Sequence, residues 1–371
     1  MALRGQSPPL ARIDSIEAVE VEIIPNECDF LIVASRTNDK GFTSIAPDTC
    51  VCELCLTEML HPQDRRYRYP FINCTNCGPR YTIIQKLPYD RPNTTMRKFR
   101  MCEACEGEYT SSDNRRYHAQ PNACHECGPT VWFTDSNCSY PEFERPESID
   151  FNDAIERCRA AIQSGKIVAI KGIGGFHLAC DATNHEAVQT LRERKKRDSK
   201  PFAVMVRDIE TCKSIAEVDD NSKMLLQSLE RPIVLLPKKR MMPSNDWVAP
   251  GNDFLGVMLC YAPLHYLLME AGDVWVMTSG NVSDEPIECD NRHAWTKLST
   301  IADAFLFHDR DIETVCDDSV VRVLENQIVP VRRARGYSPL PIELSYDGPS
   351  AFAVGGELKA AIGFANARGQ S

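Results

Sequence analysis

No apolar run in this 371-residue chain approaches the ~20 residues that a membrane helix requires, which sets aside a helical membrane protein. The opening stretch, MALRGQSPPLARID, lacks the apolar core of a secretory signal, so the expected location is the cytoplasm, where thiols stay reduced. Basic charge is in the minority. Forty-two Lys and Arg face 52 Asp and Glu, and the formal net charge of −10 argues against broad nucleic-acid binding while leaving room for a local basic pocket. There is no evident Ser-His-Asp set, no paired general acid and base, no metal-binding histidine pair and no G-x-x-x-x-G-K-[ST] phosphate loop. Chemistry by charge stabilisation fits such a chain better than covalent catalysis.

Cysteine, by contrast, is plentiful. There are 17, an odd number, which speaks against a disulfide framework. Eight lie in two 28-residue segments, 52–79 and 102–129, that are identical at eleven positions. Cys52, Cys55, Cys74 and Cys77 recur at the same spacing as Cys102, Cys105, Cys124 and Cys127. Two C-x-x-C turns complete a closed tetrahedral S₄ site, and soft thiolates in that geometry select zinc in a structural role. A redox pair would not account for four C-x-x-C turns in two identical frames. One zinc per copy is expected, with crossed pairing between copies as the alternative. Arg65-Arg66-Tyr67 and Arg115-Arg116-Tyr117 also recur, bracing each knuckle or facing a neighbouring domain. Residues 52–129 hold 11 Lys or Arg against 9 Asp or Glu, so a rigid spacer is favoured over a phosphate-binding finger pair.

Beyond a polar linker at 135–151 the pattern alternates. Asn152 is expected to cap a helix that buries Ala154, Ile155, Cys158, Ala161 and Ile162 and stops at Gly165. Short apolar strands follow (IVAIK, PFAVMVR, PIVLLPK, FLGVMLC, DVWVMTSG, AFLFHD) with helical segments between most of them. The run SVVRVLENQIVPVRR predicts a hairpin turning near Glu325-Asn326. The expectation is an α/β domain with a twisted, mixed sheet. Its basic clusters, RERKKRDSK (192–200) and RRAR (332–335), are either solvated helix faces or the walls of an anion pocket. The loop after KKRDSKPF and the strand end TSGN, with Ser279 and Asn281, favour the pocket.

At these residues the chain resembles the HypF carbamoyltransferases, which mature NiFe hydrogenases. The double cysteine module carries RRYRYPFINCTNCGPRYTII and RRYHAQPNACHECGP. The later domain is similar to their YrdC-like domain through Lys195 and Arg197, Lys200-Pro201-Phe202, Ser279 and Asn281, DDSVVR and RRARGYSP. The resemblance spans about residues 46–345. It implies four segments: 1–45 as the end of an acylphosphatase-like domain, 46–134 as the double zinc module, 148–345 as the YrdC-like domain, and 351–371 as the first strand of an ASKHA-type carbamoyl-transfer domain. On that reading the sequence is an internal piece of a longer protein, as a fragment or a truncated product.

The resemblance further implies that carbamate, derived from carbamoyl phosphate, reacts with ATP to give carbamoyl-adenylate and pyrophosphate, for transfer to a C-terminal cysteine of HypE. Lys195, Arg197, Lys200, Ser279 and Asn281 are the expected catalytic set, with Mg²⁺ on the leaving pyrophosphate. Arg332, Arg333 and Arg335 are candidates for the triphosphate tail. Lys171 and the GGFHL segment stand where other YrdC domains have a threonine and a tyrosine-glycine pair. His177 lines the pocket or is a packed core histidine. The competing readings are a threonylcarbamoyl-adenylate synthase for tRNA modification and a zinc-stabilised scaffold without turnover.

Overall fold

The computed structural model describes residues 45–136, 149–239, 244–283, 285–342 and 348–356, together with 13, 16–20, 22, 138, 145–146, 344 and 362–365. Most of the segment expected to be an acylphosphatase-like remnant lies outside the described residues. The chain divides into two compact units, Met1–Thr43 and Ser44–Ser371, and the second carries every element below.

Two short helices open the cysteine repeats, α1 (Glu53–Leu60) and α2 (Glu103–Thr110). Cys52 and Cys102 are their N-caps, so Cys55 and Cys105 sit in the first turn. Free backbone N–H groups and the positive end of the helix dipole favour thiolates there.

Ten strands form one mixed sheet: β1 (Val131–Asp135), β2 (Val168–Lys171), β3 (Phe176–Asp181), β4 (Ala203–Val206), β5 (Ile233–Pro237), β6 (Phe254–Leu259), β7 (Val274–Ser279), β8 (Ala304–His308), β9 (Val320–Leu324) and β10 (Gln327–Arg332). Their order is β1-β8-β2-β3-β7-β4-β6-β5-β9-β10. The pairs β2/β8, β4/β6 and β5/β9 are parallel and the others antiparallel. Every strand expected from the apolar runs is present. The hairpin turns at Glu325 (φ 50°) and Asn326 (φ 62°), the two positive φ values that a tight two-residue turn requires.

Strand β1 was not anticipated. It falls at the end of the second cysteine repeat, yet it pairs antiparallel with β8, from Val131 opposite His308 to Asp135 opposite Ala304. A hairpin of β11 (Ala351–Val354) and β12 (Ile362–Ala365) follows the sheet and leaves Phe352 and Phe364 exposed.

Helix α3 (Phe151–Gln163) buries the five expected residues, but its cap is Asp150, whose carboxylate accepts from the N–H groups of Asn152 and Asp153. Asp and Asn cap equally well, so one position of slippage is beyond what sequence resolves. Asn152 instead accepts from Arg68 Nε at 2.7 Å, tying the first repeat to the helix.

The cysteine module is no detached spacer. Met59, Tyr69, Phe71 and Ile72 share one continuous core with Ile155, Tyr261 and Leu264. Full burial of side chains this size is worth about 1.5–3 kcal/mol each. Backbone bonds reinforce the junction, from Cys50 N to Leu229 O and from Val51 N to Tyr261 O, both 2.9 Å. No helix among the described residues is long and apolar enough to cross a membrane.

Candidate metal centres and a candidate anion site

The eight repeated cysteines gather into two clusters, each drawn from a single repeat, so the crossed pairing is excluded. In the first, Cys52–Cys74, Cys74–Cys77 and Cys55–Cys77 have Sγ separations of 3.7, 3.8 and 3.5 Å. In the second, Cys102–Cys124, Cys124–Cys127 and Cys105–Cys127 are 3.7, 3.8 and 3.6 Å apart. Four sulfurs each ~2.3 Å from a central zinc form a tetrahedron with edges of about 3.8 Å, while a disulfide needs ~2.05 Å. Both donor sets therefore fit tetrahedral zinc and neither fits a disulfide. All four ligand positions are taken, which suits a structural ion.

The second site is a cavity of about 350 Å³ on the sheet domain. It is built by the loop from α4 (His185–Lys195) into β4, the ends of β7 and β10 and the start of β9, over a floor from β3, β5 and β6. Arg197, Lys200, His177, Ser279 and Arg332 line it, together with Asp317 and Asp318. Arg197 donates to Thr278 Oγ1 at 3.1 Å, to Lys200 O at 3.2 Å and to Pro201 O, and its guanidinium lies 4.8 Å over the Phe202 ring. Among the described residues no carboxylate pairs with it. Burial, with Arg192 and Arg332 nearby, lowers its pKa to about 10. It remains a cation at neutral pH.

Lys195 and Asn281 do different work. Lys195 is 3 % exposed, and its Nζ donates to Ser279 O (2.8 Å), Asn281 O (2.6 Å) and Asn281 Oδ1 (2.9 Å). Ser279 Oγ also donates to Asn281 Oδ1 at 2.7 Å, and Asn281 Nδ2 donates to Glu285 O at 2.7 Å. The lysine thus pins the Ser279–Asn281 turn to the end of α4, and neither Lys195 nor Asn281 is among the cavity's lining residues.

Lys171, Arg333 and Arg335 are also absent from the lining. Lys171 is buried at the junction of the cysteine module and the sheet, donating to His308 O at 3.3 Å, and burial lowers its pKa to about 8. Arg333 is bonded to Leu340 O. Arg335 is a core residue, 1 % exposed, with Asp318 Oδ1 at 2.7 Å and the Tyr261 ring 3.5 Å beneath it.

The glycine-rich turn KGIGG is a packing device. A Cβ on Gly174 would lie 2.3 Å from Cys316 O, and one on Gly175 the same distance from Ile287 Cγ2.

Sequence reasoning gave Asp317 and Asp318 no role. Asp318 accepts from His177 Nε2 at 2.9 Å as well as from Arg335. Burial would raise its pKa, but the Arg335 charge and the His177 hydrogen bond hold it far below the usual carboxylate range. An ionised Asp318 only accepts, so His177 Nε2 donates to it, while Nδ1 is buried and without a partner among the described residues. The acidic pair in DDSVVR was the available signal; its connection to His177 spans 141 residues.

Comparison with known proteins follows this division. A family model described as "HypF finger" matches residues 51–84 and 101–134, and the Sua5–YciO–YrdC model, described as "Telomere recombination", matches 160–334. The Carbamoyltransferase HypF2 of Cupriavidus necator is 48 % identical over 378 residues, covering 96 % of this chain and 46 % of that protein. The Carbamoyltransferase HypF of Synechocystis is 49 % identical, covering 94 % and 45 %. The crystal structure of a full-length HypF in the phosphate- and nucleotide-bound form superposes with TM-score 0.85 at 50 % identity, over 95 % of this chain and 45 % of that one. The chain thus spans about half the length of the relatives it matches.

Proposed function

The chain belongs to the HypF carbamoyltransferase family over the half of its relatives' length that it spans, and from that premise we propose that its sheet domain joins carbamate to ATP. The observation that carries this reading is Arg197, without a carboxylate partner among the described residues, in a cavity that it shares with Lys200 of the same loop and with Arg332 from the end of β10, which lies 3.9 Å from Asp317. Asp317 and Asp318 also line it, with Asp318 engaged by Arg335 and His177, so the three cations outnumber the carboxylates, and a pocket of that sign and size takes a polyphosphate.

In the proposed step a carbamate oxygen attacks the α-phosphorus of MgATP. A new O–P bond forms, the bond from the α-phosphorus to the bridging oxygen breaks, and pyrophosphate leaves with the Mg²⁺. The products are carbamoyl-adenylate and pyrophosphate. Carbamate is already an anion, so no general base is required. Arg197, Lys200 and Arg332 neutralise the charge that grows on the phosphate oxygens. Ser279, on a turn that Lys195 and Asn281 hold in place, turns its hydroxyl from Asn281 Oδ1 to donate to the phosphate or the carbamate. His177, whose Nε2 is held by Asp318, forms part of the cavity wall. The two zinc clusters hold the module that packs against this domain. The carbamate would derive from carbamoyl phosphate, and the carbamoyl group would pass to a cysteine of a HypE-type acceptor in the cytoplasm.

Exchange of labelled pyrophosphate into ATP tests the proposal. The purified zinc-loaded chain should exchange with carbamate and not without it. Exchange only with threonine and bicarbonate would replace this reading with threonylcarbamoyl-adenylate synthesis, as in the Threonylcarbamoyl-AMP synthase of Pseudoalteromonas atlantica, 33 % identical over 131 residues. No exchange in a folded sample that binds no nucleotide would leave a scaffold.

A further inference from the structure

The paired arginines of the two cysteine repeats make their hydrogen bonds to sulfur and carboxylate outside their own knuckles, and within a repeat only Arg116 comes near a carboxylate, Glu108 at 3.9 Å, among the described residues. They cross over. Arg65 Nη2 donates to Cys105 Sγ at 3.0 Å, and its guanidinium also holds Glu108, at 3.3 and 3.0 Å. Arg66, 2 % exposed, donates to both Glu108 oxygens, to Asn122 Oδ1 at 2.9 Å and to Ala123 O at 2.9 Å.

The second repeat returns the contacts to the sulfur, the glutamate and the backbone carbonyl fifty residues on. Arg115 Nη2 donates to Cys55 Sγ at 3.1 Å, Arg115 Nη1 lies 3.8 Å from Cys52 Sγ, and Arg115 Nε donates to Glu58 at 3.0 Å. Arg116 binds Glu58 and donates to Asn73 O at 3.0 Å. Glu58 and Glu108 are equivalent positions on α1 and α2, and Asn73 and Ala123 are equivalent positions just before the third ligand of each cluster.

We propose that the two zinc sites are one coupled unit, in which the arginine pair of each repeat completes the metal site of the other, so that emptying one site weakens the other. Four thiolates around a divalent cation leave a net double negative charge. Each site has a guanidinium N–H on a ligand sulfur to offset it, and that guanidinium comes from the opposite repeat. Contacts of this kind around a metal are worth about 10–100-fold in affinity. A Cys₄ knuckle with little core of its own loses its structure with its metal, and its arginines then leave the neighbour's sulfurs. The coupling rests on zinc being the ion both clusters hold.

The test uses the full zinc-loaded chain, a chelator challenge, a zinc indicator and alkylation of freed cysteines mapped by mass spectrometry. In the unmodified protein both equivalents should leave in one phase, with both repeats labelled together. Arg115→Met should speed zinc loss from Cys52, Cys55, Cys74 and Cys77 by about tenfold or more, and Arg65→Met should do the same to Cys102, Cys105, Cys124 and Cys127. These two arginines are chosen over Arg66 and Arg116 because their side chains are 34 % and 23 % exposed. Two independent release phases in the unmodified protein would overturn the coupling. So would an Arg115→Met chain that first loses zinc from its own repeat. Fewer than two bound equivalents at the outset would overturn the metal assignment beneath it.

Discussion

Arg66 is buried in the cysteine module and Arg197 is half-buried in the sheet domain, and what decides between them is the kind of partner each meets. Arg66 meets a carboxylate, Glu108, whose pKa is held at about 2 because its arginine partners outweigh its burial. Arg197 meets carbonyls and one hydroxyl. The first charge is neutralised inside the protein and its use is structural. The second has no carboxylate partner among the described residues, which is why the proposed anion site is built on it. Burial alone does not distinguish a functional cation from a clamp; the partner does.

That contrast can be broken in several ways, the largest effect first. Cys74→Ser removes a ligand from a closed site and should cost the chain one zinc equivalent, read by metal analysis; two retained equivalents would contradict the ligand assignment. Arg66→Met takes the guanidinium donor from Asn122 Oδ1 and Ala123 O and leaves Glu108 to Arg65, and should lower the unfolding free energy by about 2–3 kcal/mol in urea titration. A loss below about 1 kcal/mol would mean that the clasp is not what holds the repeats together.

Arg197→Met should do the opposite. Its fold should survive with two zinc equivalents bound, while pyrophosphate exchange drops at least about 100-fold. Exchange near the unmodified rate would remove Arg197 from the site.

Lys171 supplies a third case, a buried cation with only a carbonyl partner, His308 O, and outside the cleft. Its folded pKa of about 8 lies below the ~10.4 of an unfolded lysine. The unfolded state binds more protons between those values, so stability rises with pH across that window and the penalty is full below pH ~8. Lys171→Met should therefore stabilise the protein by about 2–3 kcal/mol at pH 7, with the gain gone by about pH 10.5 in thermal or urea unfolding. A gain independent of pH would show that packing and not charge is responsible. At the small end, Asp150→Ala should cost about 1 kcal/mol through its lost cap, with no effect on zinc.

The strands, helix α3 and the hairpin turn were legible because each is a local pattern: alternation, a five-residue apolar face, two residues that tolerate positive φ. Strand β1 was not, because VWFTD reads as the tail of a cysteine repeat until β8 is known to lie beside it. Among the candidate site residues, Arg197, Lys200, Ser279, His177 and Arg332 converge on one cavity, whereas Lys195, Asn281 and Arg335 are spent on holding turns and core. A run such as RERKKR announces that cations are present. It does not announce which of them meets a carbonyl, a carboxylate or an open cavity.

From its order of residues alone this protein was bound to gather two Cys₄ clusters, since four ligands at fixed short spacing need only local turns to meet around a metal. Which arginine serves which cluster, and which cation is left without a counter-charge, depended on contacts such as those between positions 65 and 105 or 197 and 278. Only the tertiary structure decided those, because partners so far apart in the chain are chosen by packing and by the cost of burying charge, and neither is written in any stretch of sequence short enough to read.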